Sequence, residues 1–95
     1  MIAGANNKAR VAEITARLEA TFSPESLQVD DESHLHAGHE GAIDGRGHFR
    51  VLVISDKFVG QTAIKRHRMV YQAMGELMQT DIHALTIEAF TPDEF

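Results

Sequence analysis

The feature that most restricts the fold is one run of eight residues near the middle of the chain, HFRVLVIS at 48–55. β-Branched and aromatic side chains dominate this run, and such residues favour extended strands. Because successive side chains of a strand point to opposite faces, the run presents apolar groups on both sides, with Phe49, Val51 and Val53 on one face and Leu52 and Ile54 on the other. This pattern is typical of a central strand, so we predict a sheet built around it.

Helical periodicity flanks this central strand on both sides. Apolar residues recur at helical spacing between Asn7 and Phe22, and again between Gln61 and Met78. Shorter alternating segments at about 26–32 and 84–90 predict two more strands. A loop between the first two strands allows antiparallel pairing, whereas a helix before the last strand favours a right-handed parallel crossover. The sequence thus predicts an α+β fold of order αββαβ, a two-layer sandwich with both helices on one face of a three-stranded mixed sheet.

The length of the chain, 95 residues, is enough for one domain, which we assign to residues 1–95. Residues 33–47 contain four glycines and three histidines but almost no bulky apolar side chains. Such a segment has little to pack with, so we predict a mobile loop there and a flexible N-terminus at 1–6.

Composition disfavours several functional classes. The chain has no cysteine, which removes disulfides, thiolate catalysis and any metal site built on its own sulfur. A total of 9 basic and 14 acidic residues gives a net charge of -5, which disfavours binding to polyanions. No apolar run approaches the about 20 residues that span a bilayer, and no catalytic serine elbow, phosphate loop or dinucleotide fingerprint occurs. We therefore expect a cytoplasmic protein that is not an enzyme and does not bind membranes.

The histidines of the predicted loop form the first candidate site. His34, His36 and His39 are spaced so that their imidazoles can converge on one metal ion, and neutral imidazole is a good ligand for zinc, copper and iron. A closed zinc site needs four ligands, so His48, His83 or a carboxylate would have to complete it. A solvated loop without a metal is the other interpretation of this motif.

His83 opens the last predicted strand. The two-residue period of a strand places it on the same face as Leu85 and Ile87, which predicts a buried or half-buried ring. Such a histidine is more often a hydrogen-bonded core residue than a ligand. If the loop after the first strand lies near the start of the third, however, His83 and one loop histidine can approach each other and offer two nitrogen donors.

A basic cluster on the second predicted helix is the other candidate surface. Lys65, Arg66 and Arg68 could neutralise phosphates or dock a protein. On a helical wheel Lys65 and Arg68 face solvent, and Arg66 lies at the edge of the apolar sector. His67 falls within that sector, so we predict a packed, structural imidazole there. At a net charge of -5, a solvated helix face or a protein-docking surface is favoured over a nucleic-acid site.

Several motifs occur in an order that resembles the BolA family. They are Asp31-Glu-Ser33, the histidine loop, His48-Phe-Arg-Val51, Phe58-x-Gly60 followed by Arg66-His-Arg-x-Val-Tyr71, and Ile82-His-Ala-Leu85. The resemblance covers about residues 8–95, and this combination of motifs is specific. It implies a class II KH-like fold of order αββαβ, which agrees with the order that the periodicity predicts.

The resemblance also implies a function. Members of the family act with monothiol glutaredoxins, and the two proteins share a 2Fe-2S cluster with glutathione in iron–sulfur cluster handling and iron regulation. By this pattern His83 is the invariant ligand, and the second ligand comes from the loop. Counting from the first motif selects His36, counting back from the strand run selects His39, and His34 is a third choice. A chain without cysteine can take part, because imidazoles replace two thiolates on one iron of a Rieske centre.

Two alternatives stay open from the sequence. One is transcriptional regulation through DNA binding, which has been proposed for BolA-like proteins and would use the helix that carries Lys65, Arg66 and Arg68. The other is zinc binding by the loop histidines. We expect the isolated chain to hold no cluster and to be a monomer or a weak homodimer. Acidification below about pH 6.5 is expected to weaken cluster binding, because a protonated imidazole is not a ligand.

Overall fold

The computed structural model describes residues 7–33 and 45–95, and its elements follow the predicted order with one additional short helix. They are α1 (Asn7–Phe22), β1 (Ser26–Asp31), β2 (Gly47–Ile54), α2 (Ala63–Met74), α3 (Leu77–Thr80) and β3 (Ile82–Phe90), with short 3-10 turns at Asp56–Phe58 and Pro92–Glu94. The predicted flexible segment 1–6 and residues 34–44 of the predicted mobile loop lie outside the described residues. No helix in the described ranges has the length and apolar character that a bilayer crossing requires.

β2 is the central strand of a three-stranded sheet of order β1-β2-β3, as the sequence predicts. β1 pairs with it antiparallel, with Val29 opposite Val51, and β3 pairs with it parallel, with Ile87 opposite Val51. The predicted mixed sheet is therefore confirmed. Because residues directly opposite each other point to the same side, these three side chains share one face of the sheet, which we call the core face.

The helices pack on the core face, as predicted. Each main helix contributes an apolar stripe with helical spacing, and the stripes meet the alternate residues of β2. Burial of this apolar surface is the main favourable contribution to folding. The buried cluster consists of Ile14, Leu18, Phe22, Phe49, Val51, Val53, Phe58, Val70, Met74, Leu77, Ile82 and Ile87.

The second helix ends earlier than the predicted Met78, because Gly75 has a backbone conformation that side chains rarely adopt. Its φ is +56°, and its N–H donates to the carbonyl of Tyr71 at 3.2 Å. A Cβ at this position would lie 3.3 Å from a guanidinium nitrogen of Arg17, which itself donates to the carbonyl of Met74 at 2.7 Å. The glycine therefore closes α2 and turns the chain into α3, which leads directly into β3.

Candidate metal centre at the end of the sheet

His83 lies at the start of β3, where the pairing with β2 is irregular. Gly47 is opposite Ile82 and His48 is opposite Ala84, so His83 is an extra residue in β3, a β-bulge. The bulge shifts the alternation by one residue, so that Ile82 is fully buried and His83 is exposed. The predicted buried or half-buried ring of His83 is therefore wrong, because strict alternation does not continue through a bulge.

His48 is the imidazole next to His83. The two ring centroids are 5.1 Å apart and the ring planes are tilted by 45°. His48 precedes Phe49 on β2 and therefore points away from the core face, yet only 7% of it is exposed. The structure thus places two nitrogen donors side by side at one end of the sheet, which we call the histidine end.

Arg46 binds the ring of His83. The distance between the Arg46 Nη2 and the His83 Nδ1 is 3.1 Å. A guanidinium can only donate hydrogen bonds, so Nδ1 is the acceptor and the proton of the neutral ring is on Nε2. A metal bound at Nδ1 would displace Arg46, and a metal bound at Nε2 would move the ring proton to Nδ1. Metal binding by His83 and this contact with Arg46 therefore exclude each other.

Ser33 and Gly45 are the described residues on either side of the segment that contains His34, His36 and His39, and both are hydrogen-bonded at the histidine end. The hydroxyl of Ser33 accepts hydrogen bonds from the backbone N–H of His48 at 3.0 Å and from the amide of Asn7 at 3.2 Å. On the other side, the carbonyl of Gly45 accepts from a guanidinium nitrogen of Arg10 at 2.7 Å. The described residues on both sides of segment 34–44 are therefore hydrogen-bonded near the beginning of β2. The predicted ligands His34, His36 and His39 themselves lie outside the described residues.

A buried ion pair joins these parts. The Nε of Arg10 donates to the Asp81 carboxylate at 3.0 Å, and the two side chains are 3% and 1% exposed. Arg10 also donates to the side chain of Asn7 at 3.0 Å, and the carbonyl of Asp81 accepts from the N–H of Gly47 at 2.9 Å. Because Asp81 comes two residues before His83, the pair positions the beginning of β3, the beginning of β2 and the N-terminus of α1 relative to each other.

The donors at the histidine end fit part of a metal site. Within residues 7–33 and 45–95, no group of three or more His, Cys, Asp or Glu side chains is arranged to hold a metal ion. The donors that are present, His48 and His83, are two nitrogens. A closed zinc site has four protein ligands, so the described residues do not form one. A cluster whose other ligands belong to a second molecule needs fewer donors from this chain, and His83 is the exposed donor of the pair, because both ring nitrogens of His48 are buried.

In the basic cluster of α2, two side chains are exposed and the third is hydrogen-bonded to other parts of the chain. Lys65 and Arg68 are exposed, as predicted. Arg66, by contrast, donates to both carboxylate oxygens of Glu94, at 2.6 and 3.0 Å, and to the carbonyl of Ala89 at 3.1 Å. Hydrogen bonds from Arg66 and from the backbone N–H of Thr91 lower the pKa of Glu94 to about 2. Arg66 thus holds the C-terminal turn against β3, and within this basic cluster Lys65 and Arg68 are the side chains that offer charge to a partner.

His67 does not pack in the core. The residue is exposed, whereas Val70 and Met74 are the buried residues of α2. The prediction of a structural imidazole at this position is therefore wrong. The reason is that α2 buries only a narrow stripe that begins one turn later, so a position inside the apolar sector of the helical wheel remains in solvent in the first turns of the helix.

Three residues of the histidine end were not identified as functional from the sequence: Arg10, Arg46 and Asp81. One signal exists for Arg10, which lies one turn before Ile14 and Leu18 on the apolar stripe of α1. A charged residue in such a stripe indicates a buried partner. Nothing in the local sequence distinguishes Asp81 or Arg46 from ordinary loop residues, because their partners are distant in the chain.

Comparison with known proteins shows one family. Residues 18–94 match the family described as BolA-like protein. The chain is 38% identical over 88 residues to Protein BOLA1, chloroplastic, of Arabidopsis thaliana, with 90% of this chain and 55% of that protein covered. It is 42% identical over 84 residues to BolA-like protein 1 of Mus musculus, with 88% and 59% covered. It spans 23% of SufE-like protein 1 of Arabidopsis thaliana, so it corresponds to only part of these relatives.

Solved structures agree with this result. The BolA domain of SufE1 from Arabidopsis thaliana superposes with a TM-score of 0.83 at 38% identity, covering 92% of this chain and 96% of that one. The solution structure of BolA1 from Mus musculus gives a TM-score of 0.75 at 42% identity, covering 88% and 66%. The fold predicted from the sequence is therefore shared with relatives of known structure.

We predict that Asp81→Ala lowers the free energy of unfolding by about 3–5 kcal/mol, because it leaves the Arg10 charge buried without its carboxylate. Urea unfolding followed by circular dichroism measures this loss. The control is Glu76→Ala, which removes an exposed carboxylate 2.8 Å from Arg17 and should cost far less, since solvent screens exposed ion pairs. Equal losses in the two variants would contradict the structural role of the buried pair.

Proposed function

The chain belongs to the BolA-like protein family, and we propose that it is a non-enzymatic adaptor that binds a monothiol glutaredoxin through a shared 2Fe-2S cluster. In this role it serves iron–sulfur cluster assembly and trafficking and iron regulation. The observation that carries the proposal is the exposed His83 at the histidine end, beside both attachment points of the histidine-containing segment. We expect the complex to form in the cytoplasm.

In the proposed complex the two proteins supply different ligand atoms. This chain has no cysteine, so it contributes nitrogen, and the thiolates come from the glutaredoxin and glutathione. The cluster is cargo that the partner brings, which is consistent with the incomplete donor set at the histidine end. Two imidazoles in place of two thiolates reduce the negative charge on the cluster and raise its reduction potential, as in Rieske centres.

His83 is the first proposed ligand of this chain, and a loop imidazole is the second. His36 comes three residues after Ser33 in the sequence, and the Ser33 hydroxyl accepts a hydrogen bond from the backbone N–H of His48. We rank His36 first, His39 second and His34 third. Arg46 must leave Nδ1 of His83 when the ring becomes a ligand, so cluster binding includes a rearrangement of that side chain.

We predict that His83→Ala abolishes the spectral signature of the mixed complex and weakens its assembly by more than about tenfold. Each purified variant is mixed with a cluster-loaded monothiol glutaredoxin and glutathione, and visible absorption and circular dichroism are recorded. A matching loss in one of His36→Ala, His39→Ala or His34→Ala identifies the second ligand. His67→Ala, which removes an exposed imidazole from α2, is the control and should retain the wild-type spectrum. A wild-type spectrum from His83→Ala would refute the ligand assignment.

DNA binding is the second candidate function, and the printed names of two relatives favour it. The chain is 38% identical to the DNA-binding transcriptional regulator BolA of Escherichia coli and 33% identical to that of Haemophilus influenzae. In this structure the charges available to phosphates on α2 are Lys65 and Arg68, since Arg66 is bound to Glu94. The net charge of -5 leaves this function secondary.

If DNA binding operates, affinity for duplex DNA falls steeply with salt, and Lys65→Gln and Arg68→Gln each reduce the slope of log affinity against log salt by about 1. Fluorescence anisotropy at several salt concentrations measures this slope. Lys8→Gln on α1 makes the same change of charge on another helix and should leave the slope unchanged. Absence of binding at physiological salt, or equal effects of all three variants, would exclude α2 as a DNA-binding surface.

A further inference from the structure

The exposed imidazole of His83 does not by itself select a cluster. Neutral imidazole also binds free zinc, copper, iron and nickel ions. The ring of His83 is open to solvent at the histidine end, so free divalent cations reach it as well as a cluster that a partner carries. A group beside this ring that acts differently on the two kinds of metal species would therefore determine its specificity.

Arg46 is held next to His83 by the backbone. The next residue, Gly47, donates its N–H to the carbonyl of Asp81 at 2.9 Å, two residues before His83. A Cβ at Gly47 would lie 2.6 Å from the ring of Phe49, so a residue without a side chain is required where the chain enters β2. From this position the Arg46 Nη2 lies 3.1 Å from the Nδ1 of His83. The pairing of the two strands therefore places the guanidinium beside the ring.

The charge of Arg46 acts on whatever binds to this ring. A guanidinium stays protonated, and its hydrogen bond to a neutral imidazole does not neutralise it. In this arrangement an ion bound at the far nitrogen, Nε2, would lie within about 7 Å of the Arg46 Nη2, given a zinc–nitrogen bond of about 2 Å. That distance is shorter than the Debye length of about 8 Å at physiological ionic strength. Dissolved salt therefore screens the interaction only in part.

Free metal ions and the proposed cargo have opposite charges. A free zinc or copper(II) ion is doubly positive, so a guanidinium repels it. In the cargo, the thiolates of the glutaredoxin and of glutathione cancel the positive charge of the oxidised 2Fe-2S core. Glutathione also brings two carboxylates but only one ammonium group, which makes the cargo as a whole negative. The same guanidinium therefore attracts the cargo.

We propose that Arg46 is a specificity-determining residue of the histidine end, which disfavours free divalent cations at His83 and favours the negatively charged cluster with its glutathione. The inference rests on the proposed function, because the favoured species is the cluster that the partner brings. Without a cluster, the guanidinium is hydrogen-bonded to Nδ1, the position that a cation bound at this nitrogen would take. Once displaced, it is available to a carboxylate of glutathione, which arginine binds through two parallel hydrogen bonds.

Titration of the chain alone with zinc chloride measures the repulsion, and NMR follows the ring signals of His83. Arg46→Gln removes the charge but keeps an amide donor, whereas Arg46→Lys keeps the charge. We expect Arg46→Gln to bind zinc at His83 about three- to tenfold more tightly than the wild type, and Arg46→Lys to match the wild type. The difference should shrink in about 1 M salt. Lys57→Gln makes the same change of charge beyond the opposite end of β2, on an exposed residue, and is the control that should match the wild type.

The same variants are then titrated against a cluster-loaded monothiol glutaredoxin with glutathione, and visible circular dichroism reports the mixed complex. Here the expected effect is reversed: Arg46→Gln weakens formation of the complex about two- to fivefold, while Arg46→Lys and Lys57→Gln match the wild type. Changes of opposite sign in the two titrations distinguish a charge effect from a loss of structure, because partial unfolding weakens both kinds of binding.

The outcomes separate this proposal from the proposed function. An unchanged zinc affinity in Arg46→Gln, or changes of the same sign in both titrations, would overturn the role of Arg46. Zinc that leaves the ring signals of His83 unperturbed in every variant would do the same. A wild-type chain that forms no mixed complex refutes the proposed function and, with it, the preference for the cluster. The zinc titration needs neither a cluster nor a glutaredoxin, so it still decides whether Arg46 repels cations at His83.

Discussion

The buried pair between Arg10 and Asp81 is the interaction on which the arrangement at the histidine end depends. Two charges buried to 3% and 1% exposure are stable only when their hydrogen bonds are satisfied, and here Arg10 also binds the side chain of Asn7 and the carbonyl of Gly45. The pair therefore joins α1, the chain entering β2 and the chain entering β3. The position of His83 follows from this junction rather than from the core alone.

The elements of the fold were predictable because their causes are local. The alternation of β2, the helical stripe of α1 and the length of the segment between β2 and β3 are enough to predict a mixed three-stranded sheet with helices on one face. The bulge at His83 and the exposure of His67 were not predictable, since the first depends on pairing with a particular residue of β2 and the second on where α2 leaves the core. The partners of Arg10 and Arg66 are likewise distant in sequence.

The described surface separates three chemical environments. The histidine end offers nitrogen donors, the exposed side of α2 offers Lys65 and Arg68, and the edge of β3 offers backbone hydrogen-bonding groups. Arg66 is not a general source of positive charge, because it donates hydrogen bonds to both carboxylate oxygens of Glu94. A net charge of -5 together with these internal contacts favours docking of a protein over binding of a polyanion.

Pulsed electron paramagnetic resonance of the mixed complex tests the ligand assignment most directly. The chain is labelled with 15N only in histidine, combined with an unlabelled cluster-loaded glutaredoxin, and the cluster is reduced by one electron to make it paramagnetic. Two 15N couplings from directly bound imidazoles are expected, and one of them should disappear in His83→Ala. A reduced cluster that shows no 15N coupling to this chain would contradict the division of ligands between the two proteins.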